Sequence, residues 1–247
     1  MKKQDLDFIL VPLGIAILSA YHLWLLHRII KHPTKTVVGI NSIHRRLWVQ
    51  TMMKDPAKYG VLAVQTLRNN IMASTLLSTT AIMLCSVIAY LMTNSVRISG
   101  ESFKPRGQDL VVGDTSNLGL SIKLFSILVC YMLAFLLNIQ SVRYYSHASI
   151  LINSPPPKLL PLAEVGGVEY VTKAVNKGSY FWSTGLHAFY VSLPFFLWIF
   201  GPIPMLVCCL LLVCLLYFLD VHSGYSLSVG DDEKKEDNDD GLARVFG

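Results

Sequence analysis

The chain is 247 residues long, enough for one ordinary domain, but 53% of it is apolar, only 15% is charged, and the mean hydropathy is +0.48. That balance excludes an ordinary soluble domain and fits helices in hydrocarbon joined by loops in water. The net charge of +5 hides an asymmetry: residues 28–68 hold eight Lys or Arg and one acid, whereas residues 220–247 hold eight Asp or Glu and three bases.

The apolar run Phe8 to His27 has the length of a first span. Lys2 and Lys3 before it are offset by Asp5 and Asp7, while Arg28, Lys31 and Lys35 follow it without a nearby acid. This charge step predicts a non-cytoplasmic N-terminus on an uncleaved signal anchor. Residues 41–58 carry Arg45, Arg46, Trp48, Lys54 and Lys58, with Asn41 or Ser42 as N-cap and Pro56 as a stop, and predict a short interfacial helix. A basic segment beside a bilayer points to anionic lipid as partner, not to nucleic acid. From Tyr59 to Met92 the chain stays helix-compatible for longer than one crossing; the second span is placed at 71–92, with 59–70 as a cytoplasmic extension.

Residues 93–119 read as a loop, and a third span follows at 120–139, with Arg143 at its cytoplasmic exit. Pro155, Pro156 and Pro157 predict an extended linker. Residues 162–178 mix Glu164, Glu169, Lys173 and Lys177 with Val165, Val168, Val171 and Val175, a partial stripe that predicts a second surface helix. The last apolar region, 179–220, exceeds one crossing and is broken by Gly201, Pro202 and Pro204. It is read as a fourth span over 187–219, kinked or re-entrant at 201–204, in preference to two spans round a tight turn. The acidic tail, 221–247, predicts disorder. The expected fold is an all-α polytopic bundle with four or five transmembrane helices and two interfacial ones. A count of four leaves the tail on the N-terminal side, and a count of five returns it to the cytoplasm.

Three literal stretches carry a resemblance: Ala63 to Leu77 (AVQTLRNNIMASTLL), Phe181 to Leu186 (FWSTGL) and Phe195 to Pro204 (FFLWIFGPIP). With them the chain resembles, over roughly residues 8–220, the plant membrane family catalogued as domain of unknown function five-nine-nine. The resemblance implies a multi-pass membrane protein from a plant. It implies no activity and carries over no catalytic residue.

In the second span Asn70, Ser74 and Ser78 recur every fourth residue beside Thr75 and Thr79, and in the third Ser126, Cys130, Ala134 and Asn138 do the same. Such faces avoid lipid, and either they hold helices together through hydrogen bonds or they line a water-filled route. Arg68, Arg143, Lys173 and Lys177 form a candidate basic vestibule at the cytoplasmic ends, though snorkelling and contact with anionic lipid explain them well and are the preferred reading. A basic mouth and spans free of Asp and Glu favour an anionic solute and weaken a proton-coupled mechanism.

Of the seven histidines, His22, His27 and His32 are five apart and do not share a helix face as metal ligands. His187 lies among aromatic residues, where a carboxylate partner would make it a pH sensor. Cys85, Cys130, Cys208, Cys209 and Cys214 all lie in apolar runs and are read as small buried side chains without disulfides. No Walker A loop, GxGxxG, GxSxG, HExxH or EF-hand is present, so neither an enzyme nor a cofactor is expected. The reading that follows is a channel or carrier for a small, anionic solute, its route lined by Asn70, Ser74, Ser78 and Asn138, for which a homo-oligomer would suit. The alternative is a structural or adaptor protein binding anionic lipid or protein partners, and a lipid-modifying enzyme ranks third.

Overall fold

The computed structural model describes residues 3–98, 116–153 and 163–221. The acidic tail, the proline linker and most of the expected loop at 93–119 lie outside the described residues. Among those described, every regular element is helical, in the order α1 (Lys3–Lys31), α2 (Val37–Lys54), α3 (Pro56–Ile98), α4 (Asn117–Leu151), α5 (Ala163–Trp198) and α6 (Pro202–Asp220), with a single 3₁₀ turn at Pro33–Lys35.

Local chemistry sets the boundaries. Pro33 opens the 3₁₀ turn, and the Thr36 hydroxyl then caps α2 by accepting from the Gly39 amide at 3.3 Å. Asp55 ends α2 and caps α3, accepting from the Lys58 amide at 3.2 Å, with Pro56 at the first helical position, where a missing amide costs nothing. Ser116 caps α4 in the same way through the Gly119 amide.

Four helices are long and apolar enough to cross a membrane: α1 over Asp7–Lys31, α3 over Pro56–Asn94, α4 over Leu118–Leu151, and α6. The 19 residues of α6 extend about 28 Å at 1.5 Å each, close to the thickness of the hydrocarbon layer. The 43 residues of α3 extend about 65 Å and must project well beyond it. Side chains that would be misplaced in water, such as Phe8 (85% exposed), Leu76 (68%) and Phe218 (81%), face outward, as lipid requires.

The packing order is α3, α4, α5, α6, α1. Neighbours α3 and α4 run antiparallel, with Ser74 facing Ser141 and Cys85 reaching Leu128, and α5 lies antiparallel to α4, with Tyr144 stacked on Phe181. By contrast α1 and α6 run parallel: Gly14 lies against Cys209 and Trp24 stacks on Tyr217. The parts of α3, α4 and α5 nearest the α1–α2 turn continue past the membrane layer and join α2 in a separate core built on Val49, Leu67, Tyr145, Ile152 and Val175. This cap carries most of the basic side chains among the described residues, and its end of the molecule is called the basic side below.

Two expectations are corrected. The surface helix expected at 162–178 and the start of the span expected at 187 are one continuous rod, α5. Its Val171 and Val175 are buried in the cap while Glu169, Lys173 and Lys177 face outward, so the charges mark the solvent face of a helix that goes on into the bundle. The break at 201–204 is a reversal, not a kink. Gly201 adopts φ 151°, a region that side chains avoid, its amide donates back to Trp198 at 3.1 Å, and Pro202 starts α6. Consequently His187 and Asp220 face each other across the α5–α6 hairpin.

Candidate functional site

Where α1, α5 and α6 meet, toward the basic side, a polar cluster lies inside otherwise apolar helices. One turn along α1 puts His22 Nδ1 2.7 Å from the Leu18 carbonyl oxygen. Its other nitrogen, Nε2, is 3.3 Å from His187 Nδ1 on α5, and His187 Nε2 is 3.7 Å from Asp220 Oδ1 at the end of α6. The second carboxylate oxygen accepts from the Tyr21 hydroxyl at 2.9 Å. Asp220 and Tyr21 are 8% and 7% exposed, so the chain of contacts is shielded from bulk solvent. Trp24 and Tyr217 stack beside it and join α1 to α6.

The two histidines form the inner end of a cavity of about 350 Å³ between α1, α2 and α5. Leu25, Leu26 and Ile29 of α1 and Val38 of α2 make an apolar wall, and Tyr180, Ser183 and Thr184 of α5 make the opposite, hydroxylated one. At the outer end the Tyr180 hydroxyl donates to Ser42, tying α5 to α2. Behind it Arg45 Nε donates to Asn176 Oδ1 at 2.8 Å, while its buried Nη2 has no partner among the described residues. Burial holds the Arg45 guanidinium below its ordinary pKa, against an opposing pull from Tyr145 and Tyr180.

The small polar faces of α3 and α4 divide. Thr75 and Thr79 point outward and satisfy their hydroxyls on carbonyls one turn back, Ile71 and Thr75. Ser74 and Ser78 point inward, and Ser74 donates to Ser141, which in turn donates to the Gly178 carbonyl at 2.8 Å. That chain links α3, α4 and α5 directly. Asn138 is fully buried, donates within its own helix to Ala134 at 2.8 Å, and lies against Gly185, where an added Cβ would fall 2.5 Å from its Nδ2. Ser78 Oγ and Asn138 Oδ1 have no partner among the described residues, and Asn70 is half-buried on the same side of α3.

Arg68, Arg143, Lys173 and Lys177 are exposed and spread over three helices. Lys173 pairs with Glu169 at 2.7 Å and holds that carboxyl below its ordinary pKa, and Lys177 sits 5.6 Å over the Tyr144 ring. At the opposite end of the bundle Lys123, 2% exposed, lies 5.6 Å over the Trp198 ring, whose Nε1 donates to Asp7 at 3.4 Å.

Sequence reasoning placed His187 correctly among aromatic rings but did not join it to His22, Asp220 or Tyr21, because the contacts arise only when α5 folds back on α6 and α1. A carboxylate closing the last apolar run and a lone cation, Lys123, inside the third were the available signals. The expectation of spans without a carboxylate is corrected by Asp220, which ends α6 and is buried against His187. All five cysteines are free thiols. Among the described residues no three His, Cys, Asp or Glu gather closely enough to hold a metal ion.

No curated protein and no solved structure matches the chain. The family described as protein of unknown function, DUF599, matches residues 9–225, which take in all six helices except the first turn or two of α1. With its four apolar helices and a family match over most of its length, the chain is a membrane protein belonging to the DUF599 family.

Proposed function

We propose that the protein is a carrier, not an enzyme, for a small monoanion with an apolar part, and that the cavity between α1, α2 and α5 is its binding site. The observation that supports this reading is the cavity itself: about 350 Å³, one apolar wall, one hydroxylated wall and two imidazoles at its inner end. Its position toward the basic side places it behind a cationic surface that concentrates anions. A solute route along Ser74, Ser78 and Asn138 has less support, since these side chains are buried in helix contacts and Ser74 is bonded across them.

In this reading the N-terminus is non-cytoplasmic and the basic side is cytoplasmic, following the charge step around α1. The exposed bases Arg46, Lys54, Lys58 and Arg68 favour a second role, contact with an anionic membrane surface, which an adaptor would also use.

The test is uptake of labelled hexanesulfonate by liposomes containing the purified chain. Uptake abolished by Ser183→Trp, which fills the cavity, and retained by Asn138→Leu is the expected result. Absence of uptake by well-folded protein overturns the carrier reading and leaves the adaptor.

A further inference from the structure

The contacts of His22 and His187 constrain where the pair carries its protons. The Leu18 carbonyl oxygen can only accept, so His22 Nδ1 is protonated. The 3.3 Å contact between His22 Nε2 and His187 Nδ1 holds one proton, on either ring. His187 Nε2 faces Asp220 Oδ1 at 3.7 Å, too far for a hydrogen bond but within reach of an ion pair when that nitrogen is protonated and the carboxylate ionised. With that nitrogen protonated, three protons on two imidazoles make one cation, balanced by one carboxylate that also accepts from Tyr21. In this state the cluster is neutral and its ring nitrogens are occupied with one another.

A fourth proton opens it. Donors then stand on both His22 Nε2 and His187 Nδ1, the bond between them is lost, and two charged N–H groups need an acceptor at the inner end of the cavity. The ionisable groups around them are Tyr21 on α1, Tyr180 and Tyr190 on α5, and Asp220 and Tyr217 on α6, while α2 contributes Val38. Of these Asp220 is the one acid, and its two oxygens are already directed at His187 and Tyr21. Arg28, farther along α1, is turned onto the Trp24 ring.

We infer that the doubly protonated His22–His187 pair is the head-group site for a monoanion taken up together with one proton. The head lies between the two imidazolium N–H groups and the apolar tail runs along Leu25, Leu26, Ile29 and Val38. One proton and one anion enter together, so the charge of the site is unchanged by loading. The inference rests on the cavity being the binding site and adds what it recognises and what it takes up alongside.

Calorimetric titration of the full chain in nanodiscs of zwitterionic lipid with hexanesulfonate tests it, because a sulfonate does not itself titrate between pH 5 and pH 8. Repeating the titration in buffers of different ionisation enthalpy counts protons. The expected result is one proton taken up per hexanesulfonate, an affinity that rises by up to about tenfold per unit fall in pH, and weaker binding of methanesulfonate. His187→Gln and His22→Gln each remove the proton uptake and the pH dependence, and either one that retains its fold suffices. Binding that Ser183→Trp blocks but that takes up no proton overturns this inference and leaves the cavity as a site. No binding of hexanesulfonate at any pH overturns the inference, and the liposome uptake experiment then decides the carrier reading separately.

Discussion

Thr36 and Val221 form an antiparallel backbone bridge, with Thr36 completely buried. The bridge pins the end of α6 to the segment that follows α1, and the parallel run of α1 and α6 makes the same placement. The chain on either side of the bundle therefore leaves α1 and α6 at the basic side. Epitopes inserted at Lys35 and after Gly247 should become accessible in the same permeabilisation step, and one placed before Met1 in the other. Protection of the C-terminal epitope while the Lys35 epitope is open would mean that α5 and α6 do not both cross.

Gly185 admits Asn138, since a Cβ there would meet the amide nitrogen at 2.5 Å. Gly185→Ala should overpack this contact and cost about 1–3 kcal/mol. Asn138→Ala should cost less, because the amide donates within α4 and its Oδ1 has no partner among the described residues. In the double variant, more than half of the Gly185→Ala penalty should be recovered. Denaturation in bicelles measures all three, and penalties that simply add would show that the two residues do not share this contact.

The fold was legible wherever one environment acts on a whole segment. The apolar runs in α1, α3 and α4 face lipid or core throughout, and each was visible as a span, whereas α6 was visible only as the second part of one run that begins in α5. α5 was not, because its first half lies in an aqueous cap and its second half in the bundle, so Glu169 and Phe189 on one rod look like two elements. The turn was visible in Gly201 and Pro202, but its direction was not: proline stops a helix without saying whether the chain reverses. His22, His187 and Asp220 come from three helices, so no spacing along the chain could have joined them. The paired roles of Ser74 and Thr75 were equally hidden, since one residue of offset on a helix separates a buried hydroxyl from an exposed one.

Ser141 is the centre of the α3–α4–α5 contact, accepting from Ser74 and donating to the Gly178 carbonyl. Ser141→Ala removes both bonds and Ser74→Ala removes one. Interhelical bonds of this kind contribute about 0.6–2 kcal/mol each in membranes. Ser141→Ala should therefore destabilise more than Ser74→Ala, and adding Ser74→Ala to Ser141→Ala should cost almost nothing further. Equal single effects that add fully would show that the serines act through volume and not through the shared bond.

Asn176 gives Arg45 an acceptor, 2.8 Å from Nε, while Nη2 has none among the described residues. An arginine stays cationic in the cap even though burial works against its charge. Removing the acceptor should then harm the protein more than removing the charge. Asn176→Ala leaves a partly buried guanidinium without compensation and should cost about 1.5–3 kcal/mol. Arg45→Met deletes the charge with its desolvation cost, keeps an apolar stem against the cap, and should cost less. With Arg45→Met already in place, Asn176→Ala should lose most of its effect, because no charge remains for Asn176 to satisfy. Thermal unfolding of the four proteins at low and high salt separates the cases. An Asn176→Ala penalty that persists undiminished in the Arg45→Met background would assign Asn176 a packing role independent of Arg45.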